Sequence, residues 1–340
     1  MSHAICLGEI LIDCFSEQPG VAWRDVTRWS SLPGGAPANV ACALAKLGDA
    51  VEFVGAVGED AWGDALLQLL DDMRIGRRGV QRRKKAPTRQ VYITHGEHGD
   101  RTFSGFGDRD PSLFADAHLF ASALDSSLFA GANFLVLGTL SLAYADTHES
   151  VMQAVEQARS HRLPILVDVN WRPMFWPKPA EAPRVIYDLI KQVHFLKVSE
   201  VEADWLFGTV SVEAIARQLP HLKGVLMTTG AQGAHYCFGS IAGRIPGFRV
   251  DVEETTGAGD AFTAGFVHQL LQRGLHCLQD PDLAKQVVTY ANAMGALTTT
   301  RMGAIAALPT PSEIEVFLYL NAPPVHPPAR PPQYRDSLSQ

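Results

Sequence analysis

The sequence predicts an α/β protein in which helices cover both faces of a mostly parallel β-sheet. Short apolar runs that are typical of buried strands alternate with segments of helical periodicity, and this alternation indicates β-α-β crossover units. The strand-like runs are Ile5–Ile12, Val51–Val57, Phe134–Leu140, Ile165–Val169, Phe195–Val198 and Gly224–Met227. The helical segments include Ala38–Leu47, Asp64–Met73 and Val151–Arg159.

Two segments interrupt this alternation. Residues 14–32 and 89–106 are rich in Thr, Tyr, Trp and Gly, and a turn signal at His98-Gly99-Asp100 favours a hairpin in the second. We expect them to form a small β-rich lid over the main sheet. The basic run Arg74–Arg89 lies just before the second segment and lacks interleaved aromatic residues, so we interpret it as a solvated helix end and connector.

The composition excludes several classes of partner. The chain has 340 residues, of which 46% are hydrophobic, and a formal net charge of −7 gives it no electrostatic footprint for nucleic acid or an anionic membrane. Its longest nearly uncharged apolar stretch, Phe134–Ala145, is about half of the roughly 20 residues that span a bilayer. We therefore expect small-molecule or protein partners.

The N-terminal residues and the cysteines indicate where in the cell the protein is located. Acidic residues at Glu9 and Asp13 interrupt the first apolar run, which is unlike a secretory signal. The five cysteines are scattered and form no C-x-x-C pair, so we expect reduced thiols, no tight structural metal site and a cytoplasmic location. Residues 322–340 are proline-rich and are expected to lack a fixed fold.

The strongest chemical signal is the segment ETTGAGDAF at residues 254–262, which runs into a helix-like stretch. Small residues at Gly257, Ala258 and Gly259 let successive N–H groups at a helix N-terminus point at one spot, as an anion hole does. A carboxylate at Asp260 would repel an anion, but it suits a base that faces a hydroxyl beside a transferring phosphoryl group. The structural alternative is a tight loop with Asp260 as a helix cap.

A second signal is PGGAPANVA at residues 33–41. Gly34 and Gly35 allow a polar ligand to approach the backbone, and Asn39 offers the donor and the acceptor that sugar hydroxyls need. Asp13 is predicted at the carboxyl end of the first strand, where ligands bind in open α/β sheets. No P-loop or protein-kinase motif is present, and Phe262 replaces the third glycine of a dinucleotide fingerprint, so hydride transfer loses its main support.

Together these two segments resemble the paired signatures of the PfkB (ribokinase-like) family of carbohydrate and nucleoside kinases. The chain is most similar to fructokinases in GEILID, GGAPANVA, VGEDAWG, DVNWRPMFWP, KVSEVE and ANAMGALTTTRMGAIAALP. The resemblance implies a ribokinase-like three-layer sandwich, with residues 1–321 as one kinase domain that carries the lid and residues 322–340 as a tail.

The resemblance also implies a role for each matching position. Asp260 would be the catalytic base, and Gly257, Ala258 and Gly259 would form the hole for the transferred phosphate. The sugar-binding positions would be Asp13, Gly34, Gly35 and Asn39, with Arg172 and Arg109 as further contacts to a sugar or phosphoryl oxygen. The nucleotide positions would be Lys197, Ser199, Glu202, Thr228, Gly230, Gly233 and Asn292. Glu202 would organise Mg²⁺ through water, although Ser199 replaces the asparagine of the family's N-x-x-E motif. The position of Glu254, together with Thr256, would belong to a K⁺ loop. The family usually carries Asp at that position, and the longer Glu side chain puts K⁺ activation in doubt.

The activity implied is ATP-dependent phosphorylation of D-fructose to fructose 6-phosphate, with ATP and Mg²⁺ as cofactors. A kinase for 2-keto-3-deoxygluconate or for a nucleoside remains an alternative, because D-x-N-x-R with Arg172 could also serve an acidic sugar. A non-catalytic sugar-binding regulator is a more distant alternative, since Asp260 and its glycines are intact. Alternating apolar residues at Val91, Ile93 and Phe103 suggest a homodimer that forms through the lid.

Overall fold

The computed structural model describes residues 3–95 and 101–321. The strands are β1 (His3–Leu7), β2 (Leu11–Ser16), β3 (Trp29–Gly34), β4 (Ala50–Gly58), β5 (Gly76–Arg83), β6 (Gln90–His95), β7 (Arg101–Gly105), β8 (Phe134–Gly138), β9 (Ile165–Asp168), β10 (Phe195–Ser199), β11 (Gly224–Thr228), β12 (Gly233–Phe238) and β13 (Ile241–Pro246). The helices are α1 (Ala36–Lys46), α2 (Ala61–Asp72), α3 (Ala145–Ser160), α4 (Ala182–Ile190), α5 (Glu200–Phe207), α6 (Val212–Gln218), α7 (Ala258–Arg273), α8 (Pro281–Thr298) and α9 (Pro311–Leu320).

The large sheet has the strand order β13-β12-β11-β10-β9-β8-β1-β4-β5. Its strands from β11 to β5 run parallel, and β12 and β13 continue one edge in antiparallel pairs. Helices α1, α2, α7 and α8 pack on one face, and α3, α4, α5 and α6 pack on the other. Residues of β1 alternate between the two cores, Ala4 and Cys6 facing one and Ile5 and Leu7 the other. This burial on both faces explains why the strands read as continuous apolar runs.

A small four-stranded sheet, β3-β2-β6-β7, lies beside the large one. Strands β2 and β6 pair in parallel, with Asp13 opposite Val91, and β3 and β7 are antiparallel at its edges. Its strands come from two separate stretches of sequence and begin at Leu11, earlier than the predicted segment 14–32. The predicted turn at residues 98–100 and the predicted tail at 322–340 lie outside the described residues.

Two local predictions are wrong. The run Ile5–Ile12 is not one strand, because the chain leaves the large sheet after Leu7 and enters the small sheet at Leu11. The basic run is not a helix end, because most of it forms β5 at the edge of the large sheet. Charged side chains on an edge strand protect its unpaired backbone groups from pairing with another chain, which explains the composition. Within the described residues, no helix is long and apolar enough to cross a membrane.

Candidate active site

A cavity of about 420 Å³ opens between the two sheets at the carboxyl ends of the parallel strands. It is lined by Leu11, Val91, Ile93 and Phe103 from the small sheet, and by residues that follow or end β1, β8, β9, β10 and β11. The remaining wall comes from the turn before α1 and from residues 255–260 at the start of α7. Ligands of open α/β sheets bind at this end of the strands, so the cavity is the candidate site.

The start of α7 forms the floor of the cavity. Gly257 precedes the helix with φ 79°, in the left-handed region that glycine adopts without strain. A Cβ at Gly257 would come within 2.8 Å of the Ala304 Cβ, so close packing also requires glycine there. The first turn of a helix leaves backbone N–H groups without intrahelical acceptors, and these attract an anion. The structure therefore places the predicted hole, Gly257, Ala258 and Gly259, at a helix N-terminus. Gly257 and Gly259 line the cavity, whereas Ala258 does not and its N–H donates to the Thr255 carbonyl oxygen at 3.3 Å.

Asp260 is the third residue of α7 and is partly accessible from the cavity. The Asn39 side-chain Nδ2 donates a 2.8 Å hydrogen bond to its Oδ2. Burial raises the pKa of Asp260 to about 6, even though the Asn39 hydrogen bond and the charges of Lys197 and Arg172 oppose the rise. A carboxylate with this pKa is ionised at neutral pH and is a better proton acceptor than an ordinary aspartate.

Lys197 lies directly beside the glycine hole. Its Nζ is 3.0 Å from the Asp168 Oδ2, and the hydroxyl of Thr263 donates a 2.9 Å hydrogen bond to that same oxygen. A Cβ at Gly259 would come within 3.0 Å of the Lys197 Nζ, so the ammonium group touches the helix start. Burial disfavours the charged form of Lys197, but the attraction of the Asp168 carboxylate is stronger, so the pKa of Lys197 is raised. The site therefore holds a fixed positive charge next to the hole.

Of the predicted sugar-binding residues on the side of the small sheet and α1, Asp13, Gly35 and Asn39 line the cavity, whereas Gly34 does not. Asp13 lies in the middle of β2 and not at the end of the first strand, because that run is split between the two sheets. A Cβ at Gly34 would come within 2.1 Å of the Asp13 Oδ2, and a Cβ at Gly35 would come within 2.5 Å of the Glu9 carbonyl oxygen. Both glycines thus permit the end of β3 and the turn before α1 to lie close to the segment that contains Glu9 and Asp13. The Asn39 Oδ1 is buried and accepts no hydrogen bond from the residues that the structure describes.

Ser199 and Glu202 meet where β10 joins α5. The Ser199 hydroxyl accepts the Glu202 N–H, and the Glu202 Oε2 accepts the Ser199 N–H at 2.7 Å, which forms a capping box. The Glu202 Oε1 also accepts the Trp171 N–H at 2.6 Å. Each carboxylate oxygen therefore already has a backbone donor, and both residues line the cavity.

The other predicted nucleotide positions extend outward from the same edge. Thr228 ends β11 beside Ser199 and lines the cavity, whereas Gly230, Gly233 and Asn292 do not. Gly230 and Gly233 have φ values of 55° and 101° and shape the turn into β12. The Asn292 Nδ2 donates to the Pro246 carbonyl oxygen at 2.9 Å, which ties α8 to the end of β13. These residues form a second group next to the cavity.

The two predicted arginines differ in position. Arg172 lines the cavity, and its Nη1 donates to the carbonyl oxygen of Trp171. Arg109 is exposed and is not among the residues that line the cavity. Between β9 and Arg172, Asn170 adopts φ 41°, an uncommon value for a residue other than glycine, and this bend turns the following residues toward the cavity.

The predicted cation loop is closed by hydrogen bonds. Glu254 is buried, and its Oε2 accepts the Gly303 N–H at 2.6 Å, while its own N–H donates to the Thr299 carbonyl oxygen. Thr256 lines the cavity two residues later. In the described part of the chain, no group of three or more His, Cys, Asp or Glu residues could hold a metal ion.

Sequence reasoning missed two buried charged residues near the site. Glu9 lines the cavity and accepts the Ala36 N–H at 3.1 Å. Arg89 belongs to the basic run but is almost completely buried, and its Nε lies 2.6 Å from the Asp116 Oδ2. Glu9 had a signal in the sequence, since an acidic residue in an otherwise apolar strand run needs a reason. Arg89 had none that distinguished it from its exposed neighbours.

Comparison with known proteins decides the family. A sequence model described as pfkB family carbohydrate kinase matches residues 1–311. The chain belongs to this family. Probable fructokinase-2 of Arabidopsis thaliana is 34% identical over 317 residues, which cover 92% of this chain and 95% of that protein. The predicted family, the fold class and the assignment to sugar kinases are thereby confirmed.

Two solved structures of fructokinases extend the comparison. Fructokinase from Xylella fastidiosa with bound ATP has a TM-score of 0.85 and 29% identity, covering 94% of this chain and 98% of that one. A double mutant of fructokinase from Vibrio cholerae, with fructose, ADP and potassium ion bound, has a TM-score of 0.81 and 27% identity, with coverage of 94% and 98%. These pfkB neighbours carry a nucleotide and, in the second case, a metal ion.

Proposed function

We propose that this pfkB protein transfers the γ-phosphoryl group of ATP to the terminal hydroxyl of D-fructose and forms fructose 6-phosphate. The observation that carries the proposal is Asp260, which follows the Gly257–Gly259 turn, bonds to Asn39 at 2.8 Å and faces the cavity under the small sheet. The similarity to proteins named fructokinase, one of them crystallised with fructose and ADP, supports this choice of sugar.

The sugar would lie against the small sheet. Asp13 can accept hydrogen bonds from two hydroxyl groups, and the buried Oδ1 of Asn39 offers a further acceptor. Leu11, Val91 and Ile93 can cover the carbon skeleton. The Asn39 Oδ1, which is buried without a donor among the described residues, favours a ligand that supplies a hydroxyl there.

Transfer then needs one proton acceptor and a polarised site for the phosphoryl group. Asp260 takes the proton of the sugar hydroxyl while the hydroxyl oxygen forms a bond to the γ-phosphorus of ATP. The bond from that phosphorus to the bridging oxygen breaks, and ADP leaves. The N–H groups of the α7 start and the Lys197 ammonium stabilise the charge on the transferring group. Closure of the small sheet as a lid would exclude water from this step.

ATP would extend from the glycine hole toward the β10 and β11 ends. Lys197, Ser199, Glu202, Thr228, Gly230, Gly233 and Asn292 are the residues proposed to contact it. Mg²⁺ when bound would neutralise phosphate charge. The Glu202 carboxylate fits a water-mediated role in holding the ion, because both of its oxygens already accept backbone N–H groups. Arg172 is proposed to steady a sugar or phosphoryl oxygen, and Arg109 would need a movement of its segment to do so.

We propose that K⁺ is not required for turnover, because the Glu254 side chain itself closes the loop by accepting the Gly303 N–H. Turnover should then change less than twofold when Na⁺ replaces K⁺ in the assay. A loss of tenfold or more in Na⁺ would show that Glu254 and Thr256 hold a cation despite the longer side chain.

The assembly and location of the protein are further proposals. Of the residues predicted for a dimer contact, Val91 and Ile93 are buried and line the cavity, whereas Phe103 is 45% exposed. A dimer through the small sheet would therefore use Phe103 or the half-buried cluster of Trp23, Trp29 and Tyr92. Light scattering at micromolar concentration tests the dimer, and a monomer mass would contradict it.

All five cysteines are free thiols, which supports the proposed cytoplasmic location. A fluorescent fusion would test this location.

The decisive assay measures ADP release with fructose, 2-keto-3-deoxygluconate, ribose and adenosine as separate substrates. We expect the highest kcat/KM with fructose. A higher value for one of the others would assign the site to that substrate, and no ADP release above background with any of them would contradict a catalytic function.

A further inference from the structure

Glu9 is a buried carboxyl group at the base of the cavity that the proposed transfer step leaves without a role. It is 4% exposed and lies just beyond the end of β1. The Oε1 accepts the Ala36 N–H at 3.1 Å, and the Glu9 carbonyl oxygen lies against Gly35. The residue therefore holds the turn before α1 from two sides.

The second carboxyl oxygen of Glu9 is in an unusual position. Its Oε2 is buried and forms no hydrogen bond with the residues that the structure describes. Its surroundings include Gly138, where an added Cβ would lie 3.8 Å away, and Pro37, which packs against the same glycine. A buried carboxylate whose second oxygen has no hydrogen-bond donor is costly, and a proton on Oε2 lowers that cost.

The two charged groups with the largest effect on Glu9 are acidic, although Asp116 is itself paired with Arg89. The cavity lining also holds the cations Arg172 and Lys197. Asp116 and Asp260 act on Glu9 through space, while the adjoining turn of α1 and the end of β8 present the uncharged Ala36, Pro37 and Gly138. Burial raises the pKa of Glu9 to about 8, its own N–H and that of Ala36 oppose this, and the two aspartates add to it. Geometry and charge therefore both favour the neutral acid at neutral pH.

The turn that Glu9 holds leads directly to the proposed base. The Asn39 N–H donates to the Gly35 carbonyl oxygen at 2.8 Å, and the Asn39 side chain donates to Asp260. We propose that Glu9 is a positioning residue that works as an uncharged carboxylic acid, fixing the α1 turn and so Asn39 against Asp260. Ionisation of Glu9 would add a negative charge beside Asp260 and would leave Oε2 in need of new donors. This inference rests on the proposed sugar kinase activity.

The test compares pH profiles of kcat/KM for fructose in the wild type, Glu9→Gln and Glu9→Ala. Glutamine keeps an acceptor for the Ala36 N–H but cannot ionise, so Glu9→Gln should retain at least a third of wild-type kcat/KM at pH 7. The wild-type value should fall about tenfold per pH unit above pH 8, whereas Glu9→Gln should stay level for at least one further unit. Glu9→Ala should lose at least tenfold at pH 7. Glu156→Gln, an exposed change on α3, should reproduce the wild-type profile.

Three results would overturn the inference. One is an alkaline limb of Glu9→Gln that superimposes on the wild-type limb. Another is a folded Glu9→Gln that is as impaired at pH 7 as Glu9→Ala, which would mean that the charge is needed. The third is wild-type kcat/KM at pH 7 in a folded Glu9→Ala, which would show that no positioning occurs. If the wild type itself does not phosphorylate fructose, the proposed function fails, and this outcome is separate from all three.

Discussion

At the scale of single residues, the account depends on Asp260 and its neighbours. Its Oδ2 accepts the Asn39 hydrogen bond at 2.8 Å, and Lys197 and Asp168 form an ion pair beside the same helix start. Burial raises the pKa of Asp260 to about 6, so the carboxylate form that accepts a proton is lost as pH falls through that value. The side chain thus combines proton affinity with ionisation at neutral pH.

This pKa predicts the acid limb of the activity profile. At saturating ATP, kcat/KM for fructose should rise about tenfold per unit of pH below pH 6 and level off above it, because only the ionised base reacts. Initial rates from pH 5 to 7.5 measure the midpoint. A profile that is flat over this range, or a midpoint near pH 4, would show that a different environment sets the ionisation of the base.

At the scale of elements, the turn into α7 fixes the hole and the base together. Gly257 combines φ 79° with packing against Ala304, so both its backbone and its missing side chain matter. Gly208 at the end of α5 offers a matched comparison, since its φ is 64° but a Cβ there would meet nothing within 4 Å. The two sites separate backbone strain from steric clash.

Gly257→Ala should therefore destabilise the protein more than Gly208→Ala. The latter should cost about 1 kcal/mol, the usual penalty for a left-handed residue with a Cβ, and Gly257→Ala should cost at least about 1 kcal/mol more because Ala304 must move. Chemical denaturation of both variants gives the free energy of unfolding. Equal losses would mean that the packing against Ala304 relaxes without cost.

The same elements show what the sequence could and could not predict. The start of α7 is readable because a glycine turn, a helix pattern and Asp260 are local in sequence. The split between β1 and β2 was missed because both strands are apolar, and the break at Gly8 and Glu9 between them does not by itself show a change of sheet. The Lys197, Asp168 and Thr263 contacts join three elements that are distant in sequence, so only the fold brings them together.

At the scale of the whole molecule, Arg89 joins the small sheet to the body of the protein. Its carbonyl oxygen accepts the Ile12 N–H, and its guanidinium pairs with Asp116 and bonds to the Pro111 carbonyl oxygen. Four rings surround it at 4.7 to 5.7 Å, those of Phe106, Phe114, Tyr144 and Phe175. A single buried cation thus connects the start of β6 with several segments that are distant in sequence, one of which, at Phe175, lines the cavity.

Loss of this cation should be far more costly than loss of an exposed one. Arg89→Met leaves Asp116 buried without its partner and should lower the free energy of unfolding by about 3–5 kcal/mol. Arg24→Met removes an exposed pair with Asp108, whose side chains are 74% and 80% exposed, and should cost about 1 kcal/mol or less. Similar unfolding midpoints for the two variants would contradict the assigned role of Arg89.

The most direct test of the central claim is the turnover of Asp260→Asn with fructose and ATP. Removal of the base while the Asn39 contact can be kept should lower kcat by about 10²–10⁴-fold, with the dissociation constant for ATP within about threefold of wild type. Thermal unfolding should show a melting temperature at pH 7 no lower than wild type, because a neutral side chain avoids the cost of ionising a buried carboxyl group. Turnover within a factor of ten of wild type in a folded Asp260→Asn would contradict the assignment of Asp260 as the base.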